Sequence, residues 1–265
     1  RIWELGIAYA KQLYTKEPDG FCGINIGLAW ENGGWEKRKY NKYEIGWCGQ
    51  NAMFANALLG EALRTGDKEA KAMGFSVLDS WLEMARVPAG VTGSYYDPGQ
   101  VRYLEACDLG TAGLAYFEAC DLTEKPARIR QKAARYYEAA LEICDFAVRM
   151  QGEDGSFAKC WHADGRTAIK DGAVGAFLVM PLIEGYRRTG KESYKEAAVK
   201  GLRRYLKELK EYGYTTAGAL DIFSIDKESG IPLLKGAMAL YELTGEKEWL
   251  DGALDSAWYL STWQY

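Results

Sequence analysis

The sequence predicts an all-α protein, built from helical hairpins in two concentric layers, and three observations carry that prediction. A Thr-Gly turn recurs between helices. Apolar residues repeat with helical spacing, and nothing of comparable length alternates with period two. The two helices of each hairpin differ in composition.

The recurring turn reads Leu63-Arg64-Thr65-Gly66-Asp67-Lys68, then Arg188-Thr189-Gly190-Lys191-Glu192, then Leu243-Thr244-Gly245-Glu246-Lys247. A fourth copy, Leu122-Thr123-Glu124-Lys125-Pro126, lacks the glycine. Glycine past the last helical residue supplies a left-handed cap, and proline suits a first helical turn. Reading outward from the turns predicts first helices over 49–64, 107–122, 172–188 and 230–243. Their partners fall at 68–84, 127–150, 192–212 and 246–263, and a ninth helix at 1–14 reads as the second half of a hairpin. The stripe Tyr136, Ala140, Ile143, Cys144, Ala147 and Met150 shows the i, i+3, i+4 spacing of one buried helical face. Pro181, inside a first helix, predicts a kink.

First helices are apolar nearly all round, as in Gly175-Ala176-Phe177-Leu178-Val179-Met180, whereas second helices carry a charged face, as in Lys200 to Lys207. Helices apolar all round are buried, so the first helices form an inner ring and the second an outer one. The links from outer to inner helices, 15–48, 85–106, 151–171 and 213–229, are long and rich in Gly, Asp and aromatics. Alternating helix direction gathers them at one rim, over the inner-helix N-termini. Long loops collected there mark the expected site, where free N–H groups suit anionic or hydroxyl-rich ligands.

The 265 residues are 48% hydrophobic and 26% charged, which excludes a disordered chain and allows one sizeable domain over 1–265. No apolar run approaches the roughly 18 residues of a membrane span, so no membrane partner is expected. With 37 acidic against 33 basic residues there is no basic field for nucleic acid. A single histidine, His162, and six scattered cysteines without ligand spacing predict neither a metal nor a cofactor. The abrupt ends at Arg1 and Tyr265 read as those of an excerpt, with further domains of the same chain as partners.

The Thr-Gly turns, the Asp154-Gly155-Ser156-Phe157 loop and the stretch from Asp226-Lys227-Glu228-Ser229-Gly230 to Thr262-Trp263 resemble the six-hairpin α/α-toroid glycosidases. The resemblance implies a toroid with about four and a half hairpins present, and a carbohydrate substrate. Cys107-Asp108-Leu109-Gly110 is similar to the His-Asp-Leu-Gly segment of unsaturated glucuronyl and rhamnogalacturonyl hydrolases, where the Asp is catalytic; Cys107 stands in place of the His.

Glycosidic hydrolysis takes a proton-donating carboxyl and an ionised one. Asp97, Asp108, Asp154, Asp164, Asp171, Asp221, Asp226 and Glu228 fall at the rim. Asp154 also fits a turn that binds its own backbone, and Asp108 and Asp171 also fit helix caps. Pro232 must lie in a first turn, which makes Ser229 the cap and leaves Asp226 and Glu228 outside the helix. Asp226, Glu228, Asp108 and Asp171 are therefore the catalytic candidates. Trp47, Gln50, Asn51, Tyr96, Arg102, Trp161, His162, Arg166 and Lys170 are the candidates for substrate binding: flat apolar faces for pyranose rings, amides for hydroxyls and cations for an acidic sugar such as a uronate. The expected activity is a glycoside hydrolase on oligo- or polysaccharide, uronic-acid-bearing chains included. A lyase on the same toroid and a non-catalytic carbohydrate-binding or scaffold module are the alternatives.

Overall fold

The computed structural model describes residues 1–97, 100–101, 103–124, 130–216, 224–225 and 227–264. Among them are nine α-helices: α1 (Ile2–Leu13), α2 (Asn51–Thr65), α3 (Lys68–Met84), α4 (Ala106–Glu124), α5 (Arg130–Met150), α6 (Val179–Thr189), α7 (Glu192–Tyr212), α8 (Gly230–Thr244) and α9 (Lys247–Ser261). Helix α2 packs on α4, α4 on α6 and α6 on α8, which makes the inner layer. Helices α3, α5, α7 and α9 each back their hairpin partner, and α1 packs on α2.

The repeated turn has a local cause. Thr65, Thr189 and Thr244 donate a hydroxyl hydrogen bond to the carbonyl four residues back, at 2.7–2.9 Å. The same hydroxyl accepts the N–H two residues on, from Asp67, Lys191 and Glu246 respectively. The glycine between adopts φ near +70 to +80°, and its N–H closes on the helix's last turn. Thr123 makes the same backward bond to Ala119. Residues 125–129 of that turn lie outside the described residues.

Pro181 interrupts its helix instead of kinking it. Residues Ala173–Leu178 form a 3-10 segment, and α6 starts afresh at Val179. Proline thereby falls in a first turn, where its missing N–H is no loss.

The long crossovers contain ten short strands among the described residues. The hairpin Leu28–Glu31 with Gly34–Lys37 turns at Asn32-Gly33, both at positive φ, the conformation that Asn-Gly favours between strands. Other strands join one crossover to the next. Glu44 pairs with Tyr95 and Tyr43 with Tyr96, while Glu105 pairs with Cys160 and Leu104 with Trp161. The Ala173 N–H donates to the Thr216 carbonyl at 3.0 Å. Four crossovers are thus tied together over one end of the inner layer.

Candidate functional site

A cavity of about 740 Å³ lies between the inner helices. Helix α8 gives it Ile231, Pro232 and Lys235, with Glu228 just before the helix: the i, i+3, i+4, i+7 spacing of one helical face. From the 3-10 segment and α6 come Phe177, Met180, Glu184 and Arg188, and from α4 come Thr111, Leu114, Phe117, Glu118 and Asp121. At the base, Arg188 holds Asp121 and Glu184. At the mouth stand Trp47, Cys48 and Gln50, with the Trp47 ring edge-on to Phe177 at 5.3 Å.

The turn that carries these mouth residues is strained. Trp47 has φ +25° and Gln50 φ +45°, a region costly for residues with a Cβ. Two glycines permit it. A Cβ on Gly46 would lie 2.7 Å from the Asp108 Cα and carbonyl oxygen, and one on Gly49 would lie 2.5 Å from the Glu44 Cβ. Glu44 accepts the Gly49 N–H at 2.7 Å, so the turn is folded directly onto two acidic residues.

Both acids are buried: Asp108 at 0% exposure and Glu44 at 2%. Neither oxygen of Asp108 has a hydrogen-bond partner among the described residues. Burial, then the charges of Glu44 and Glu105, push Asp108 well above the usual carboxylate range. Burial likewise pushes Glu44 up to about 7, with the Glu105 charge adding and the Gly49 N–H opposing. The Cys48 thiol is pushed up to about 11, by burial and then by the charges of Glu44, Glu228 and Asp108. Glu105, Cys107 and Asp108 offer ligand atoms within 4.8 Å of one another, a set able to hold a metal ion.

Of the candidates read from the sequence, Glu228, Trp47 and Gln50 line the cavity. Asp108 lies beneath the mouth turn. Asp226 and Arg102 lie outside the described residues, as does Asp221. Asp171 and Lys170 line a separate cavity of about 700 Å³ with Asp154, Arg204 and Glu208. Three binding candidates are framework residues. Asn51 is buried, donates to the carbonyls of Ile24 and Glu44, and accepts the Ile24 N–H and the Trp81 indole N–H. Tyr96 stacks on Phe21 at 3.8 Å and donates to Asp19. Trp161 packs edge-on to Phe146 at 5.1 Å with no exposed surface. His162 sits beside Tyr103 in the hairpin where Arg166 pairs with Asp164 at 2.7 Å, away from the cavity lining. Asp154 accepts the Ser156 N–H and hydroxyl, the turn-forming role. Ser229 precedes α8, but its hydroxyl donates to the Thr216 carbonyl rather than to the helix.

Sequence reasoning missed Glu44, Glu105, Glu118, Asp121, Glu184, Arg188 and Lys235. For the last five a signal existed: a charged residue at helical spacing on an otherwise apolar inner helix. Glu105 stands three residues before Asp108 in the sequence, whereas Glu44 carried no signal, since it is brought toward Asp108 by the pairing of separate crossovers.

No protein-family model matches the chain, and no curated protein matches it by sequence. Solved structures do match. A family 76 α-mannanase from Bacteroides thetaiotaomicron aligns with TM-score 0.63 and 14% identity, over 95% of this chain and 64% of that one. A D-mannose isomerase aligns with TM-score 0.64 and 14% identity, over 96% and 68%. An unsaturated glucuronyl hydrolase with dGlcA-Glc-Rha-Glc aligns with TM-score 0.54 and 12% identity, over 97% and 84%. The chain spans 64%, 46% and 57% of the length of the first three such structures. At these identities the likeness is one of architecture: the chain has the α/α-toroid fold shared by the six-hairpin glycosidases, with about four and a half hairpins among the described residues.

Proposed function

We propose that this protein is a glycoside hydrolase acting on an oligo- or polysaccharide, with the substrate entering the central cavity at the inner-helix N-termini. The observation that carries this reading is the cavity itself, which Glu228 lines together with the edge-on pair of Trp47 and Phe177. An aromatic face against a carboxyl group is what a pyranose and its glycosidic oxygen require. Glu228 and Asp226, two residues apart on the entry to α8, are the proposed acid and base. The fold's occurrence in a mannanase and a glucuronyl hydrolase supports the reading.

Uronic-acid-bearing chains are the proposed substrate class. Lys235 lines the same cavity and makes no ion pair among the described residues, whereas Arg188 is committed to Asp121 and Glu184. Seven residues along a helix, about 10 Å, separate Glu228 from Lys235, and a lysine side chain spans about half of that. The cation can therefore meet the carboxylate of a sugar whose glycosidic bond lies at the mouth.

The test is turnover of neutral and uronate-containing oligosaccharides, followed by reducing-end release and near-ultraviolet absorbance. Reducing ends without a new chromophore indicate hydrolysis; a new double bond indicates the lyase alternative. Tight binding with no turnover of any substrate would leave a carbohydrate-binding module.

A further inference from the structure

The start of α4 carries three side chains whose chemistry the proposed hydrolysis does not use. Glu105 ends the short strand that runs into the helix, and Cys107 and Asp108 lie in its first turn. A carboxylate oxygen of each acid and the Cys107 sulfur fall within 4.8 Å of one another. The Cys107 thiol points at Glu105, with Sγ 4.0 Å from Oε2. Spacings of paired cysteines or histidines do not find such a set, because its donors are three different residue types.

Asp108 is the group that calls for a ligand. It has no exposed surface, and neither of its oxygens has a hydrogen-bond partner among the described residues. Buried polar groups are almost always paired, and a carboxylate left alone in low dielectric costs several kcal/mol. A bound cation removes that cost by supplying the missing charge.

The backbone holds the three residues in place. The Ser94 hydroxyl accepts the Glu105 N–H at 2.7 Å, the Ala106 N–H donates to the Lys159 carbonyl at 2.9 Å, and the Thr111 hydroxyl donates to the Cys107 carbonyl at 2.8 Å. A further thiol lies across the strand pair. Cys160, buried and free, is the register partner of Glu105, and directly opposed residues of an antiparallel pair project to the same face.

We infer that Glu105, Cys107 and Asp108 bind a zinc ion. A thiolate among carboxylates favours zinc over calcium or magnesium, which take oxygen ligands. Zinc bonds sulfur at about 2.3 Å and carboxylate oxygen at about 2.0–2.2 Å, which holds its donors within about 4.5 Å of one another, so small side-chain rotations close the set. On binding, the Cys107 thiol releases its proton to solvent and its sulfur bonds the metal, with no change of oxidation state. Cys107 and Asp108 are shut away from solvent, so the site is closed and structural. It pins the start of α4, against which Gly46 and the turn bearing Trp47 and Gln50 rest. Neither member of the proposed acid–base pair belongs to it, so zinc binding stands or falls apart from the hydrolase reading.

Metal analysis of the intact protein, purified after growth with zinc, should give a stoichiometric zinc content. Cobalt(II) added to chelator-treated protein should develop a sulfur-to-cobalt charge-transfer band in the near-ultraviolet, and zinc should raise the thermal midpoint of the same sample. Cys107→Ser should remove the band. Cys107→Ser and Asp108→Asn should each weaken zinc binding at least about 100-fold, the upper end of what losing a residue that merely supports a ligand costs. Should either variant not fold, Glu105→Gln, at the least buried of the three, reads the same loss. Protein that takes up no stoichiometric zinc, a cobalt complex without the sulfur band, or zinc affinity unchanged in the variants would overturn the inference.

Discussion

Arg188 grips Asp121 with two parallel hydrogen bonds of 2.8 and 2.7 Å, joining α6 to α4 at the base of the central cavity. The same guanidinium donates to Glu184 at 2.7 Å and lies 4.8 Å from the centre of the Phe117 ring. A forked pair of this kind has geometric value that an isolated surface ion pair lacks.

Arg188→Ala should therefore cost about 1–2 kcal/mol of stability, a figure that allows for the solvent exposure of Asp121. Arg188→Lys should recover part of this, because lysine keeps the charge but not the fork. Urea denaturation checks both; a loss in Arg188→Ala no larger than that of a single exposed pair would show that the fork contributes nothing.

Gly110 lies where α4 meets the 3-10 segment, and a Cβ there would overlap the backbone carbonyl of Phe177. Backbone cannot yield as a flexible side chain does. Gly110→Ala should destabilise by about 1–3 kcal/mol and should displace Phe177 from Trp47. Thermal unfolding measures the first effect, and ligand affinity the second.

Glu228→Gln keeps shape but removes the ability to exchange a proton. On the proposed function it should lower kcat by roughly 100-fold or more with little change in ligand affinity. Turnover and isothermal titration on the same variant separate the two. Equal turnover in parent and variant would remove Glu228 from the chemistry.

The Asp154 carboxyl is held down to about 2, first by the Ser156 hydroxyl and its N–H, with Arg204 contributing. An acid whose folded value lies below its unfolded value of about 3.9 stabilises at higher pH, and that stability fades as pH falls from about 4 to 2. Asp154→Asn should make the stability profile flatter across this window while leaving its slope near neutrality unchanged. Denaturation at pH 2, 3, 4 and 7 tests it.

Much of the architecture was legible because its causes are local. The backward Thr hydroxyl bond and the left-handed glycine at 65–66, 189–190 and 244–245 involve residues at most four apart, and seven of the nine predicted helices have both ends within two residues of those observed. The Asn32-Gly33 hairpin was equally local, but a short strand pair inside a long crossover is hidden from a search for long period-two runs. The site was less legible. Trp161, Tyr96 and Asn51 sit in crossovers or at a helix start, as binding residues do, yet their partners Phe146, Phe21 and Ile24 are far away in sequence and draw them inward.

The sequence by itself determined the hairpins, their turns and the division into sheltered and wet helices, because hydrogen-bonding caps and apolar periodicity act over one or two turns of chain. Only the tertiary structure decided which crossover residues face the cavity and which acids meet. Glu44 reaches Asp108 because the strand at 43–44 pairs with that at 95–97 and the turn after it folds over the start of α4. Such meetings depend on how separate crossovers pack against one another, a long-range balance of burial and strand pairing that no stretch of a few residues encodes.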